Sequence, residues 1–120
     1  MISHDSLSLY PHYIYITFSM GNKYAHINLL YNTRKHQIEC ELYIRNNKDL
    51  YYKLEENKEE INSQISNKLQ WKPLEGKKSS RITLKADLDV DPDSDDWNEA
   101  FEWALSEVEL FNKVFKKYLK

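Results

Sequence analysis

The stretch that decides the fold is DWNEAFEWALSEVELFNKVFKKYL, residues 96–119. Its apolar members Trp97, Phe101, Ala104, Val108, Phe111, Phe115 and Leu119 recur in steps of four and three. That spacing lays a single apolar stripe along a helix, so the segment predicts a long amphipathic helix that docks on another layer. Asp96, with Glu99 three residues on, reads as a capping-box start. Lys113, Lys116, Lys117 and Lys120 gather at the other end, where they suit the negative pole of the helix.

The layer beneath it is read from three consecutive alternating segments. Residues 13–19 put Ile14, Ile16 and Phe18 on one face and Tyr13, Tyr15 and Thr17 on the other. Residues 24–31 oppose Ala25, Ile27, Leu29 and Tyr31 to Tyr24, His26 and Asn28. Residues 37–45 oppose Ile38, Cys40, Leu42 and Ile44 to Glu39, Glu41, Tyr43 and Arg45. Period-two alternation joined by short turns predicts an antiparallel meander, with Gly21 in the first turn where a positive φ is needed. Asn46 or Asn47 is expected to cap a second helix whose buried line is Leu50, Leu54, Ile61 and Ile65. Residues 69–74, where Pro73 suits a strand end or a sheet edge, and residues 81–88 supply two more strands.

The predicted fold is therefore α+β: a five-stranded, mainly antiparallel sheet, in chain order βββαββα, with two helices on one face. Trp97, Phe101, Val108, Phe111 and Phe115 are expected to pack on Ile14, Ile16, Ile38, Leu42, Ile82 and Leu84. Residues 1–12, with Ser6, Ser8 and Pro11, are expected as a loose arm ahead of a single domain at 13–120.

A length of 120 residues fits one domain with a core of its own, and two glycines and three prolines exclude a loop-rich chain. Cys40 is the single cysteine, so no disulfide forms within the chain, which fits a reducing cytoplasm. No apolar run approaches the roughly 20 residues that span a bilayer, and the first residues lack the pattern of a secretion signal. A net charge of −2 hides a segregation. Residues 1–86 carry 13 Lys and Arg against 9 Asp and Glu, whereas residues 87–120 carry 4 against 10. The mildly basic body is far weaker than the footprint of a dedicated nucleic-acid binder.

The motifs ELYI at residues 41–44, KEEI at 58–61, Leu69 with Trp71, and KSSRI at 78–82 follow one another in this order. Asp96, Trp97, Trp103, Phe111 and Phe115 close the series. This succession, over roughly residues 13–120, resembles the prokaryotic family known as domain of unknown function 4268. The resemblance implies an association with nuclease or restriction-like domains and brings no established catalytic residues. Any nuclease activity is then expected from a partner chain.

Asp87, Asp89, Asp91 and Asp93 occupy positions one, three, five and seven of a calcium-loop pattern. Pro92 stands where the loop needs glycine, and Asn98 where it needs a bidentate glutamate, so a solvated loop is the better reading. Glu39, Glu41, Lys85 and Asp87 sketch a metal-dependent nuclease centre, although alternating charges on a solvated strand look alike. His4, His12, His26 and His36 share no metal-ligand spacing, and Cys40, in phase with Ile38 and Leu42, reads as a packed thiol. No catalytic residue, metal site or cofactor is expected.

The uncovered sheet face is the favoured surface. Tyr13, Tyr15, Tyr24, His26, Tyr43 and Arg45 are expected there as a platform for a protein partner or a second copy, since tyrosine and arginine are enriched in interfaces. Nucleic acid is the alternative ligand, through the same face and through Lys72, Lys77, Lys78, Arg81 and Lys85. Glu39 and Glu41 oppose a phosphate backbone, which favours the protein. The expected function is a non-catalytic interaction module in a nuclease-associated or defence-type system. No membrane partner is expected.

Overall fold

Strict alternation gives strands, and the turns between them decide which strands meet. The computed structural model describes residues 3–10 along their backbone and residues 13–119 in full. The strands are β1 (Ser3–Tyr10), β2 (Tyr13–Ser19), β3 (Ala25–Asn32), β4 (Gln37–Ile44), β5 (Gln70–Lys72) and β6 (Ser80–Lys85). The helices are α1 (Lys48–Glu55), α2 (Lys58–Gln64) and α3 (Asn98–Lys116). All strand pairs are antiparallel, in the spatial order β1-β2-β3-β4-β6-β5. The five expected strands are thus present, and Ser3–Tyr10 adds a sixth beside β2. Residues 1, 2, 11 and 12, the remainder of the expected arm, lie outside the described residues.

Gly21 adopts φ 71° in the β2–β3 turn, as that turn requires. Asn47 caps α1, its side-chain oxygen accepting from the Leu50 N–H at 3.0 Å. The single helix expected after this cap is two. At Asn57 the side-chain amide donates back to the Lys53 carbonyl at 3.1 Å, and the backbone leaves helical geometry at φ −106°, ψ 21°. An asparagine that bonds locally competes with the helix, which explains the break. From the first turn of α1, Lys48 Nζ reaches the β5–β6 connection. It donates to the carbonyls of Pro73, Leu74 and Ser79 and to Ser80 Oγ. This ammonium ties α1 to the far border of the sheet.

The core lies between the helices and one sheet face. Ile27, Leu42, Ile44, Ile82, Phe111 and Phe115 are fully buried in it, together with Tyr51 and Leu54 of α1 and Ile61 of α2. α3 lies on β3 and β4, α1 on β4, and α2 against α3. Two expectations for α3 need correction. It starts at Asn98 rather than at a capping box; Asp96 Oδ1 instead accepts from the Asn98 N–H at 3.0 Å. Its buried line runs through Ala100, Ala104, Val108, Phe111, Val114 and Phe115, and Phe101 is 60% exposed. With 3.6 residues per turn, Trp97, Phe101 and Leu105 form a second line beside the buried one. Because α3 sits over β3 and β4, Ile14 and Ile16 of β2 flank the helix instead of lying beneath it.

Candidate functional site

Cross-strand register orders the outer sheet face into rows. Ser19, His26, Tyr43, Arg81 and Lys72 form one row, and Thr17, Asn28, Glu41, Thr83 and Gln70 the next. Tyr15, Leu30, Glu39 and Lys85 form a third. The middle row is wired by hydrogen bonds. Thr17 Oγ1 donates to Asn28 Oδ1 at 2.8 Å, and Asn28 Nδ2 donates to Glu41 Oε2 at 2.9 Å. Arg81 Nη1 then donates to both Glu41 oxygens at 3.1 and 3.2 Å. Glu41 is only 2% exposed, so a carboxylate sits buried within a sheet face that none of the described helices covers. The Arg81 guanidinium also lies 5.1 Å from the centre of the Tyr43 ring, and that ring lies 5.1 Å from His26.

The structure therefore brings together only part of the expected platform. His26, Tyr43 and Arg81 are neighbours. Tyr24 and Arg45 adjoin them, with the Arg45 N–H on the Tyr24 carbonyl at 2.7 Å and Arg45 Nη2 on the Lys23 carbonyl at 3.2 Å. Tyr13 lies at the opposite end of β2 from Ser19, about 20 Å away at ordinary strand rise, with Tyr15 two residues from it. Of the basic candidates, Lys77 and Lys78 are exposed in the β5–β6 connection, Lys72 pairs in register with Arg81, and Lys85 lies opposite Glu39.

The nuclease sketch is not assembled as one site. Glu41 is engaged by Arg81, while Asp87 pairs with Lys68 at 2.7 Å, a contact that raises the lysine pKa. Asp89 lies 3.1 Å from His36 Nδ1, and the Asp91 side chain accepts from the Asp93 N–H at 2.9 Å. Among the described residues, no group of three or more His, Cys, Asp or Glu is placed to hold a metal. Cys40 is fully buried, and its thiol pKa is pushed well up, first by burial and then by Glu107 and Glu41. A buried thiol of that kind is a poor nucleophile.

A different surface stands out on the helix side. Where α3 leaves β2 uncovered, a groove of about 350 Å³ opens between Ile14 and Ile16 on one wall and Trp97 and Phe101 on the other. Leu29 and Tyr31 lie at its floor and Pro92 at one end. Trp97 is held by its indole N–H on the Ser94 carbonyl at 3.0 Å and by an edge contact with Tyr31, the ring centres 5.2 Å apart. The Tyr31 hydroxyl donates to the Val90 carbonyl at 2.5 Å. Its pKa is raised by burial first and then by Asp91, Asp89 and Asp93. Phe101 and, one turn on, Leu105 are 60% and 62% exposed beside the groove.

The matched family model, described as a domain of unknown function, DUF4268, covers residues 3–119. The chain belongs to the DUF4268 family. No curated protein and no solved structure matches it. The match begins at residue 3, so β1 falls within the stretch that defines the DUF4268 domain. No helix among the described residues is long and apolar enough to cross a membrane.

Reading the sequence missed the groove. Its two walls lie about eighty residues apart in the chain, and each looks like ordinary core when read alone. The available signal was an excess: Trp97, Phe101 and Leu105 widen the apolar arc of α3 beyond what one sheet contact consumes.

Proposed function

We propose that this DUF4268 domain is a non-catalytic protein-interaction module and that its docking surface is the groove between β2 and α3. The observation that carries this reading is the exposure of Phe101, at 60%, on the wall of an apolar groove, with Leu105 exposed at 62% one turn further along α3. Contiguous exposed apolar surface of this kind marks sites that other proteins cover, and aromatic side chains at their centre dominate such contacts. Its setting in a nuclease-associated or defence-type system follows from the family resemblance and belongs to the same proposal.

The outer sheet face is the weaker surface. Arg81 is paired with Glu41, Arg45 donates to a backbone carbonyl, and Glu39 in register with Lys85 adds negative charge to the same face, so the face offers phosphate less free positive charge than its sequence suggests. This weighs against the nucleic-acid alternative as well.

The test is recovery of partners from the native host with a tagged chain, comparing wild type with Phe101→Glu combined with Leu105→Glu. Both side chains are exposed, so the variant should keep its circular dichroism and thermal midpoint. At least one protein recovered with wild type should be lost with the variant. A recovery profile that the two substitutions leave unchanged would sink the reading.

A further inference from the structure

The helix-side layer of this fold is unfinished. α3 covers β3 and β4, and among the described residues no helix lies above the apolar row Ile14 and Ile16 next to it. A helix set on β2 parallel to α3, at the ordinary interaxial spacing of about 8–10 Å, would meet Phe101 and Leu105 from the side and close the groove. The rim constrains what that helix carries. Residues 87–102 contain eight carboxylates and no lysine or arginine. Asp95, Asp96 and Phe101 border a depression adjoining the groove, and Asp89, Asp91, Asp96 and Glu99 border another that shares Ala100 with it. Asp87 is paired with Lys68 and Asp89 with His36. Among the described residues, the remaining six carboxylates of this run make no ion pair with a basic side chain.

Resting on the interaction-module reading, we infer that the groove receives a cationic amphipathic helix of a partner protein. Apolar residues on one face of that helix fill the space between Ile16 and Phe101. Lysines or arginines beside them face Asp91, Asp95, Asp96 and Glu99. Apolar burial supplies affinity, and the acidic rim supplies orientation and selectivity for sign. A second copy pairing through α3 itself fits less well, because the basic residues of that helix, Lys113 and Lys116, lie in its last turn, where Phe111, Val114 and Phe115 are already buried in its own core.

The test is fluorescence anisotropy of a labelled synthetic amphipathic helix of leucine and lysine. It is compared with its glutamate counterpart and with a scrambled peptide of the same composition. Wild type should bind the lysine helix at least about tenfold tighter than either control, with affinity falling as salt rises. Phe101→Asp should abolish binding. Combining Asp91→Asn, Asp93→Asn, Asp95→Asn and Asp96→Asn keeps the side-chain oxygens that accept from the backbone at Asp93 and Asn98, and removes only charge. That variant should bind about tenfold more weakly and lose most of the salt dependence.

Equal binding of the scrambled or glutamate peptide overturns the inference, as does full binding by Phe101→Asp. Light scattering separates the two levels of failure. A wild-type dimer that Leu105→Glu converts to a monomer would make the occupant a second copy, overturning the cationic helix and leaving the groove an interface. No peptide binding, no self-association and no groove-dependent partner would overturn both.

Discussion

Glu41 shows how much one side chain can demand of its neighbours. A carboxylate at 2% exposure must be compensated, and Asn28 and Arg81 together supply three hydrogen bonds to its two oxygens. Removing Arg81 leaves the charge buried with only the amide. Arg81→Ala should therefore cost about 3 kcal/mol in urea unfolding, and adding Glu41→Gln to it should recover much of that loss. An Arg81→Ala midpoint equal to wild type would mean that water replaces the guanidinium at no cost. Glu107 is the opposite case. Its Oε2 is buried without a hydrogen-bond partner, and burial raises its carboxyl pKa above the unfolded value of about 4.3. The folded form thus holds the proton more tightly than the unfolded form. Its contribution is most favourable below the unfolded pKa and is lost as pH rises through the folded one. Glu107→Gln should raise the thermal midpoint at pH 7, and the advantage should vanish near pH 4. An advantage that is the same at both pH values would rule out the carboxylate charge as its source.

Helix α3 separates two kinds of apolar residue that look alike in the chain. Phe111 is fully buried on the line that meets β3 and β4, and Phe101 stands on the neighbouring line, 6.1 Å between ring centres from Trp97. Phe111→Ala should cost about 3–5 kcal/mol in equilibrium unfolding, because it leaves a cavity that the sheet cannot fill. Phe101→Ala should change stability by no more than about 0.5 kcal/mol, since its side chain is already in water. Comparable losses for the two would mean that α3 presents Phe101 to the core. A conserved fold energy together with a lost binding function is the signature that an exposed apolar line implies, and it is why the charged substitutions at Phe101 and Leu105 separate docking from folding.

Much of the molecule as a whole was legible from residue patterns. β2, β3 and β4 could be read because their apolar and polar residues alternate, broken within β3 by Leu30, and Gly21 and Asn47 punctuate the chain where the backbone turns. β1 was harder to see, since Ser6, Ser8 and Pro11 look like the composition of an unstructured end although Leu7 and Leu9 fall in register with Ile16 and Ile14. Tyr51 was hidden by its polar hydroxyl, which is satisfied by Glu55 at 3.0 Å while the residue is buried. Phe101 was misplaced because a stripe of fours and threes is compatible with two adjacent lines, and only the lateral position of α3 on the sheet chooses between them. The grouping of the outer-face residues depended on register. Period two tells which face a residue occupies, not how far along the sheet it lies from its companions.

The two borders of the sheet are not equivalent. β5 is three residues long and runs directly into Pro73, which has no N–H to offer, and Lys48 anchors the carbonyls just beyond it. At the other border β1 runs for eight residues. Strand addition therefore has a direction. Two molecules that meet edge to edge must do so through β1, and the joined sheet then ends in β5 on both sides. Such an assembly closes at a pair, so the fold carries its own terminator against fibre growth.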